Sequence, residues 1–182
     1  MWLELSLAAQ VRRPKEIEAM KFLLGSLVET QQFAEVVAKH VRPRDMIILA
    51  GEMGTGKTTF TQHLGKAMGI TDLITSPTFN LLHNYGSGRK SLHHADLYRL
   101  ERTGELTDLG LEELQDDGGV IVVEWGDIVG DQLGDALVLK FEHTDTPESR
   151  TVSVLVRGAQ WAGRLEKLGQ DLGASFKVLA RG

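Results

Sequence analysis

Apolar residues recur along this chain in two spacings, and each spacing predicts a different secondary structure. Where they recur every three or four residues they predict a helix, and two such helices are expected in the first half of the chain. Their apolar faces consist of Phe33, Val36, Val37 and Val41 in the first and Phe60, Leu64, Ala67 and Met68 in the second. We expect Thr30 to cap the first helix, and Pro43 and Gly69 to end the two.

Short continuous apolar runs predict buried strands, and runs bounded by turn residues predict further ones. The predicted strands are residues 46–50, 81–82, 91–99, 120–124, 136–141 and 151–156. A polar turn over residues 144–150 indicates that the last two form an antiparallel hairpin. A short helix is expected near residues 106–114. The pattern therefore predicts an α/β, three-layer domain with a mixed parallel and antiparallel central sheet.

A last helix is predicted at the end of the chain. Its apolar stripe consists of Trp161, Leu165, Leu168 and Leu172. Such a stripe either packs on the protein's own core or helps to dock a partner. We expect residues 1–19 to form an extension of uncertain order, and residues 20–182 to form a single domain that ends in this amphipathic helix.

The composition excludes several classes of protein. The 182 residues suit one domain, and the chain has no cysteine, which fits a reducing compartment and excludes thiolate metal sites. No apolar run approaches the roughly 20 residues that cross a bilayer, so we expect a cytoplasmic protein without a membrane contact. The formal net charge of −5 indicates that nucleic acid is reached through a local basic patch or through partner proteins.

The segment GEMGTGKTT carries the strongest chemical signal, because it matches G-x-x-x-x-G-K-[ST] between a predicted strand and a predicted helix. Glycines let backbone N–H groups converge on phosphate oxygens. Lys57 is expected to reach the β- and γ-phosphates of ATP, and Thr58 to place its hydroxyl on Mg²⁺. The predicted nucleotide-binding residues are Gly51, Gly54, Thr55, Gly56, Lys57, Thr58 and Thr59. A dinucleotide fingerprint fails here, since Thr59 stands where its third glycine would fall.

A phosphate loop needs a further carboxylate to hold the metal or to order the attacking water. Glu124 ends an apolar run and is expected to bind Mg²⁺ directly or through water. His94, Asp96 and Tyr98 are spaced to share one face of a strand. Asp96 is the better candidate for positioning or activating water.

Three neighbouring features are open to two interpretations each. Arg99 either neutralises phosphate charge or forms a structural ion pair. His94 either hydrogen-bonds a carboxylate or fills a half-buried position. Residues 76–79, with Thr78 among them, form either a loop that senses the γ-phosphate or an ordinary turn into a strand.

The ordered segments GEMGTGKTT, SPTFNLLHNY, HADLYRL, ELTDLGLEEL and VEWGD resemble the TsaE family of bacterial ATPases over residues 26–156. The resemblance implies ATP hydrolysis that supports N6-threonylcarbamoyladenosine formation at tRNA position 37, together with a TsaB–TsaD pair whose TsaD carries the transfer chemistry. It further implies that Thr58 and Glu124 bind Mg²⁺, that Asp96 is needed for hydrolysis and that Trp125 accompanies Glu124. It favours Thr78 as part of a switch segment.

The sequence departs from the family pattern without losing a phosphate or metal ligand. Glu52 and Met53 replace the commoner Asp-Leu, Thr55 stands where alanine is usual, and Gly126 stands where proline is frequent. Two other functions remain as alternatives. A small-molecule kinase would need an acceptor pocket and usually a mobile lid, and no long arginine-bearing segment follows the loop. A nucleotide-responsive scaffold would not need Asp96 and Glu124.

Overall fold

A computed structural model of the protein describes residues 17–77, 80–86, 91–100 and 103–181, and these form one continuous sheet with helices around it. The strands are β1 (Ile17–Leu24), β2 (Met46–Ala50), β3 (Leu82–Tyr85), β4 (Leu92–Asp96), β5 (Val120–Glu124), β6 (Ala136–His143), β7 (Arg150–Arg157) and β8 (Lys177–Arg181). The α-helices are α1 (Leu27–His40), α2 (Lys57–Ala67), α3 (Thr103–Asp108), α4 (Leu111–Asp116) and α5 (Ala162–Ser175), and Gly126–Leu133 is a kinked 3₁₀ segment.

The sheet has the order β3-β4-β5-β2-β6-β7-β1-β8. Its centre is parallel, since β5 pairs in parallel with β4 and with β2, and β2 with β6. The flanks are antiparallel: β3 pairs with β4 on one side, and β6, β7, β1 and β8 follow one another on the other. The mixed sheet and the antiparallel β6–β7 hairpin are therefore confirmed.

Apolar residues cover both faces of the sheet, which is why β2 and β5 are buried along their whole length. Ile47 and Leu49 belong to a core cluster shared with α1, α2 and α5, whereas Met46 and Ile48 point to a second cluster with α3 and α4. This gives the predicted three layers. Because side chains alternate along a strand, Asp96 and Glu124 lie on the α2 side at the carboxyl ends of β4 and β5.

The first helix begins earlier than the sequence predicts. Its cap is Ser26, whose side chain accepts a hydrogen bond from the backbone N–H of Glu29, while the Glu29 carboxylate accepts one from Gly25. This reciprocal arrangement satisfies one amide of the first turn, that of Glu29, and the amide of Gly25 just before the helix. Thr30 lies inside the helix, buried, and its hydroxyl donates to the Ser26 carbonyl. The prediction of Thr30 as the cap was wrong.

Two predicted elements are divided or shortened. The helix expected near residues 106–114 is split into α3 and α4, because Gly110 takes a left-handed φ of +62° between them. Strand β4 ends at Asp96, whose side chain accepts the backbone N–H of Tyr98 and turns the chain. Tyr98 therefore lies outside the strand and is exposed. The prediction that Tyr98 shares a strand face with His94 and Asp96 was wrong.

The sequence patterns did not predict β1 or β8. Strand β1 crosses the boundary proposed between residues 19 and 20 and pairs with both β7 and β8; residues 1–16 lie outside the described residues. Helix α5 packs on the core through Trp161, Leu168 and Leu172, which are fully buried. The stripe on this helix thus belongs to the protein's own core. Within the described residues, no helix is both long and apolar enough to cross a membrane.

Candidate functional site

The phosphate loop connects the end of β2 to the start of α2. Its backbone takes positive φ at three glycines: Gly51 at +127°, Gly54 at +79° and Gly56 at +99°. Residues with a Cβ rarely adopt such angles. Gly51 is constrained further, because a Cβ there would lie 2.2 Å from the carbonyl oxygen of Phe141. The conformation of the loop therefore requires the glycines that the motif supplies.

Helix α2 begins directly at the loop, with Gly56 as its N-cap residue. No side chain caps this end, and the first turn contains no acidic residue. The first amides of a helix have no acceptor within the helix, and the helix dipole makes this end positive. The start of α2 therefore suits an anionic group such as a phosphate.

Lys57 is the first residue of α2, and its side chain folds back along the loop. Its Nζ donates hydrogen bonds to the carbonyl oxygens of Gly51 at 2.7 Å and Glu52 at 2.9 Å. It also lies 4.1 Å from the ring centroid of Trp125, within the range of a cation–π contact. Burial lowers the pKa of Lys57, and nearby carboxylates, chiefly Glu124, oppose that shift. The ammonium group is thus held at the loop by carbonyls and a ring.

Glu124 ends β5 and is almost fully buried. Its Oε1 accepts the Thr58 hydroxyl at 2.7 Å and lies 2.9 Å from Nε2 of His94. His94 is fully buried, and its Nδ1 has no hydrogen-bond partner among the described residues. We therefore assign the proton of a neutral ring to Nε2, because Nε2–H can then donate to the carboxylate and Nδ1 needs no acceptor. His94 thus hydrogen-bonds a carboxylate and helps to orient it. Of the two interpretations given for His94, the structure supports this one.

Asp96 is the register partner of Glu124 at the end of the adjacent parallel strand. Its Oδ2 accepts the hydroxyl of Ser76 at 3.0 Å, and its Oδ1 accepts the backbone N–H of Tyr98 at 3.0 Å. Both oxygens are therefore held in place. Each carboxylate oxygen can accept more than one hydrogen bond, so the group keeps capacity to bind water.

These groups surround a cavity of about 440 Å³. Its lining residues are Met53, Gly54, Gly56, Lys57, Thr58, Thr59, Ser76, Asp96, Tyr98, Arg99, Glu124 and Trp125. Most of the predicted site residues are therefore brought together. Arg99 is exposed at this cavity. A larger cavity of about 820 Å³ lies at the opposite end of β2, near Met46, and has no phosphate-loop residue in its wall.

Three of the predicted residues that the structure describes, Gly51, Thr55 and His94, are not part of this cavity's wall. Gly51 packs against β6, and Thr55 is buried with its hydroxyl donating to the Glu52 carbonyl. His94 stands behind Glu124. Thr78 lies outside the described residues.

Three residues of the site were not predicted individually. Ser76 belongs to a segment that the sequence singled out, but its bond to Asp96 depends on how the loop returns to the sheet. Tyr98 lies with its ring centroid 5.1 Å from that of Trp125, and only the aromatic character of the two residues hints at this contact. Met53 also faces the cavity and is exposed.

The donor set fits Mg²⁺ that is bound together with phosphates. Mg²⁺ prefers oxygen ligands and commonly takes one or two protein ligands, completing its shell with phosphate oxygens and water. The Thr58 hydroxyl and the Glu124 carboxylate are two adjacent oxygen donors. Among the described residues, no cluster of three or more His, Cys, Asp or Glu side chains could hold a metal ion by itself. A metal at this position would therefore depend on the nucleotide.

Comparison with known proteins places the chain in a family. The family described as "Threonylcarbamoyl adenosine biosynthesis protein TsaE" matches residues 24–152, which include the phosphate loop, Asp96 and Glu124. The chain is also similar in structure to Bacillus subtilis YdiB, with a TM-score of 0.69 and 28% identity over 88% of this chain and 96% of that one.

Relatives named tRNA threonylcarbamoyladenosine biosynthesis protein TsaE occur in several bacteria. The Bacillus subtilis protein is 41% identical over 58% of this chain and 65% of its own length. The Rickettsia conorii protein is 39% identical over 58% and 61%, and the Treponema pallidum protein 37% identical over 63% and 84%. The matched regions of the first two thus fall short of two thirds of their lengths. The family match spans most of this chain, and the chain belongs to the TsaE family.

Proposed function

We propose that the chain is a Mg²⁺-dependent ATPase that supports threonylcarbamoyladenosine modification of tRNA position 37, acting with a TsaB–TsaD pair. The observation that carries this proposal is the contact between the Thr58 hydroxyl and the Glu124 carboxylate at 2.7 Å beside the phosphate loop. Membership of the TsaE family, whose relatives are named for this tRNA modification, supports the process.

Binding of ATP uses the loop and the start of α2. The glycine backbone offers N–H groups to the phosphate oxygens, and the helix end adds a favourable dipole. Lys57 exchanges its two carbonyl acceptors on the loop for the β- and γ-phosphates. This exchange is favourable because a buried ammonium gains more from phosphate charge than from neutral carbonyls.

The metal is held by the Thr58 hydroxyl and the Glu124 carboxylate. Bound Mg²⁺ neutralises charge on the phosphates and polarises the bond that breaks. A hydroxyl has a donor hydrogen and two lone pairs, so Thr58 can keep its bond to Glu124 while a lone pair would serve the metal. His94 lies 2.9 Å from the same carboxylate oxygen and helps to keep its orientation.

Hydrolysis depends on Asp96. Its two oxygens are fixed by Ser76 and by the backbone of Tyr98, and its remaining lone pairs accept a hydrogen bond from the attacking water. A carboxylate placed in this way orients the water and takes up its proton. Asp96 and Glu124 occupy adjacent strand ends, so the carboxylate that would serve the water stands beside the one that would hold the metal.

The transfer chemistry on tRNA belongs to the partners in this proposal. The net charge of −5 supports contact with tRNA mainly through the TsaB–TsaD pair, because an acidic chain gains little from a phosphate backbone. We place the protein in the cytoplasm together with these partners and the tRNA.

The test is ATP hydrolysis by the purified chain with Mg²⁺, alone and with a TsaB–TsaD pair. We expect the rate to rise with the partners. Asp96→Asn should lower it about 100-fold or more while leaving nucleotide affinity within a few-fold, and Asp108→Asn, an exposed acid on α3, is the control. Full hydrolysis by Asp96→Asn would refute the role of Asp96. A hydrolysis rate that does not change when the partners are added would refute the link to tRNA modification.

A further inference from the structure

Strand β6 extends beyond its neighbour β2, and the phosphate loop runs alongside the extension. The pairing of β2 with β6 ends at Ala50 and Lys140, whereas β6 continues to His143. The loop follows Ala50 immediately, and Gly51 passes so close to the Phe141 carbonyl that a side chain would not fit. The β6–β7 hairpin therefore forms the outer wall of the phosphate loop.

Arg150, the first residue of β7, reaches from this hairpin to the loop. Its Nε donates to the carbonyl oxygen of Thr55 at 3.1 Å. Its Nη1 donates to the carbonyl oxygens of Pro147 and Ser149, both at 2.6 Å. The two Nη1 bonds thus hold the guanidinium against its own turn, and Nε is the atom that donates to the loop. Thr55 is only 1% exposed, so its end of this hydrogen bond is shielded from water.

His143, at the end of β6, makes a second contact of the same kind. Its Nε2 lies 3.3 Å from the carbonyl oxygen of Met53 and donates when it carries the proton. The ring is exposed, so this bond is the weaker of the two. The hairpin therefore holds two carbonyls of the loop, separated by one residue.

These two bonds determine which way the following amides point. The described residues contain no cis peptide bond, and in a trans peptide the C=O and the next N–H point in opposite directions. Holding the Thr55 and Met53 carbonyls against the hairpin therefore turns the N–H groups of Gly56 and Gly54 the other way. Both glycines line the nucleotide cavity.

We propose that Arg150 is a positioning residue that preorganises the phosphate loop, with His143 in a lesser supporting role. The inference rests on the proposed nucleotide binding. Lys57 holds the carbonyls of Gly51 and Glu52, but it must leave them to reach phosphate. Arg150 lies outside the cavity and keeps its bond when the nucleotide binds, so it maintains the loop after Lys57 has moved.

The test compares Arg150→Met with Arg44→Met in the full chain. Both arginines donate to a backbone carbonyl, but Arg44 contacts Asp116 at the opposite end of the molecule. Affinity for Mg–ADP is measured by calorimetry. We expect Arg150→Met to lose about tenfold, because a loop that must be ordered on binding costs affinity, and Arg44→Met to bind like the parent.

Amide spectra separate positioning from a general loss of stability. In ¹H–¹⁵N spectra without nucleotide, Arg150→Met should shift the Gly54 and Gly56 amides, and Arg44→Met should leave them unchanged. Arg150→Lys keeps the charge without the fork of donors, and it should recover only part of the affinity. If Arg150→Met does not fold, His143→Ala at an exposed position replaces it, with an expected loss of about threefold.

Two failures are distinguishable. Mg–ADP affinity within twofold of the parent in Arg150→Met, or in His143→Ala where that variant replaces it, would overturn the positioning role and leave the proposed function standing. A parent chain that does not bind Mg–ADP would overturn the proposed function, and the inference with it.

Discussion

The Thr58 hydroxyl donates a 2.7 Å hydrogen bond to Oε1 of Glu124. This bond joins the first turn of α2 to the end of β5, and the two residues are 66 positions apart in the chain. Both oxygens were predicted separately to bind Mg²⁺, and they prove to be immediate neighbours. The proposed metal would lie at this contact.

Replacing Thr58 with valine should weaken the response of ATP affinity to Mg²⁺. The substitution keeps the shape of the side chain and deletes the hydroxyl, so the metal loses a ligand. In the parent, Mg²⁺ should strengthen ATP binding; in Thr58→Val that gain should shrink by about tenfold, or ~1.4 kcal/mol. Titration calorimetry with and without Mg²⁺ measures it. Thr61→Val, which alters a buried hydroxyl bonded only within α2, is the control, and an unchanged Mg²⁺ response in Thr58→Val would contradict the assignment.

Gly51→Ala should destabilise the fold more than Gly54→Ala. Both glycines have positive φ, which costs alanine about 1–2 kcal/mol, but only at Gly51 would the new Cβ overlap the Phe141 carbonyl. We expect losses of about 3 kcal/mol or more for Gly51→Ala and about 1 kcal/mol for Gly54→Ala. Urea unfolding provides the comparison. Equal losses would show that the contact between the loop and β6 is not tight.

Arg164→Met should strongly destabilise the protein, because it leaves Asp45 buried without its partner. The two side chains form a bidentate ion pair with both bonds at 2.7 Å, and Asp45 is fully buried. Removing one member of such a pair costs about 3–5 kcal/mol. Lys167→Met, which breaks an exposed pair with Asp171 on the same helix, should cost about 0.5 kcal/mol or less. Similar unfolding midpoints for the two variants would contradict the prediction.

The stability of the folded protein at acid pH should depend in part on Glu142. A hydrogen bond from Lys21 lowers the pKa of this carboxyl, so the folded state favours the ionised form. The contribution is therefore present above the ordinary pKa of 4.5 and is lost as the pH falls through the lowered folded value. Because both side chains are about one third exposed, the effect should be about 0.5 kcal/mol.

Urea unfolding at pH 7 and at pH 3 measures this dependence. Glu142→Gln should lose less stability between the two values than the parent does, by about that amount. Glu148→Gln, an exposed acid in the same hairpin, is the control. An identical loss in the parent and in Glu142→Gln would rule out the contribution.

The features that could be predicted from the sequence are those that depend on residues close together along the chain. The phosphate loop needs only its own glycines and a strand and helix on either side, so the motif and its context were sufficient. Strands β2 and β5 are covered on both faces and appear as unbroken apolar runs. The position of Glu124 followed from the end of such a run. Its pairing with Asp96 followed only once β4 and β5 proved to be parallel neighbours.

Other features depend on contacts that no local pattern records. Strands β1 and β8 lie at the antiparallel flank, where β1 reads IEAMKFLL without regular alternation. The bond from Ser76 to Asp96 requires the chain to return to the sheet edge. The bond from Arg150 to Thr55 joins positions 95 residues apart. Ser26 was missed as the cap because Thr30 has the same capping chemistry and lies nearer the apolar stripe.

Calorimetric titration of Mg–ATP into the parent chain and into Lys57→Ala tests the nucleotide site most directly. We expect the parent to bind at a single site and Lys57→Ala to bind at least about tenfold more weakly, with the far-ultraviolet circular dichroism of the two chains the same. Equal affinity in both chains, or no binding by the parent, would contradict the claim that this loop is a nucleotide site.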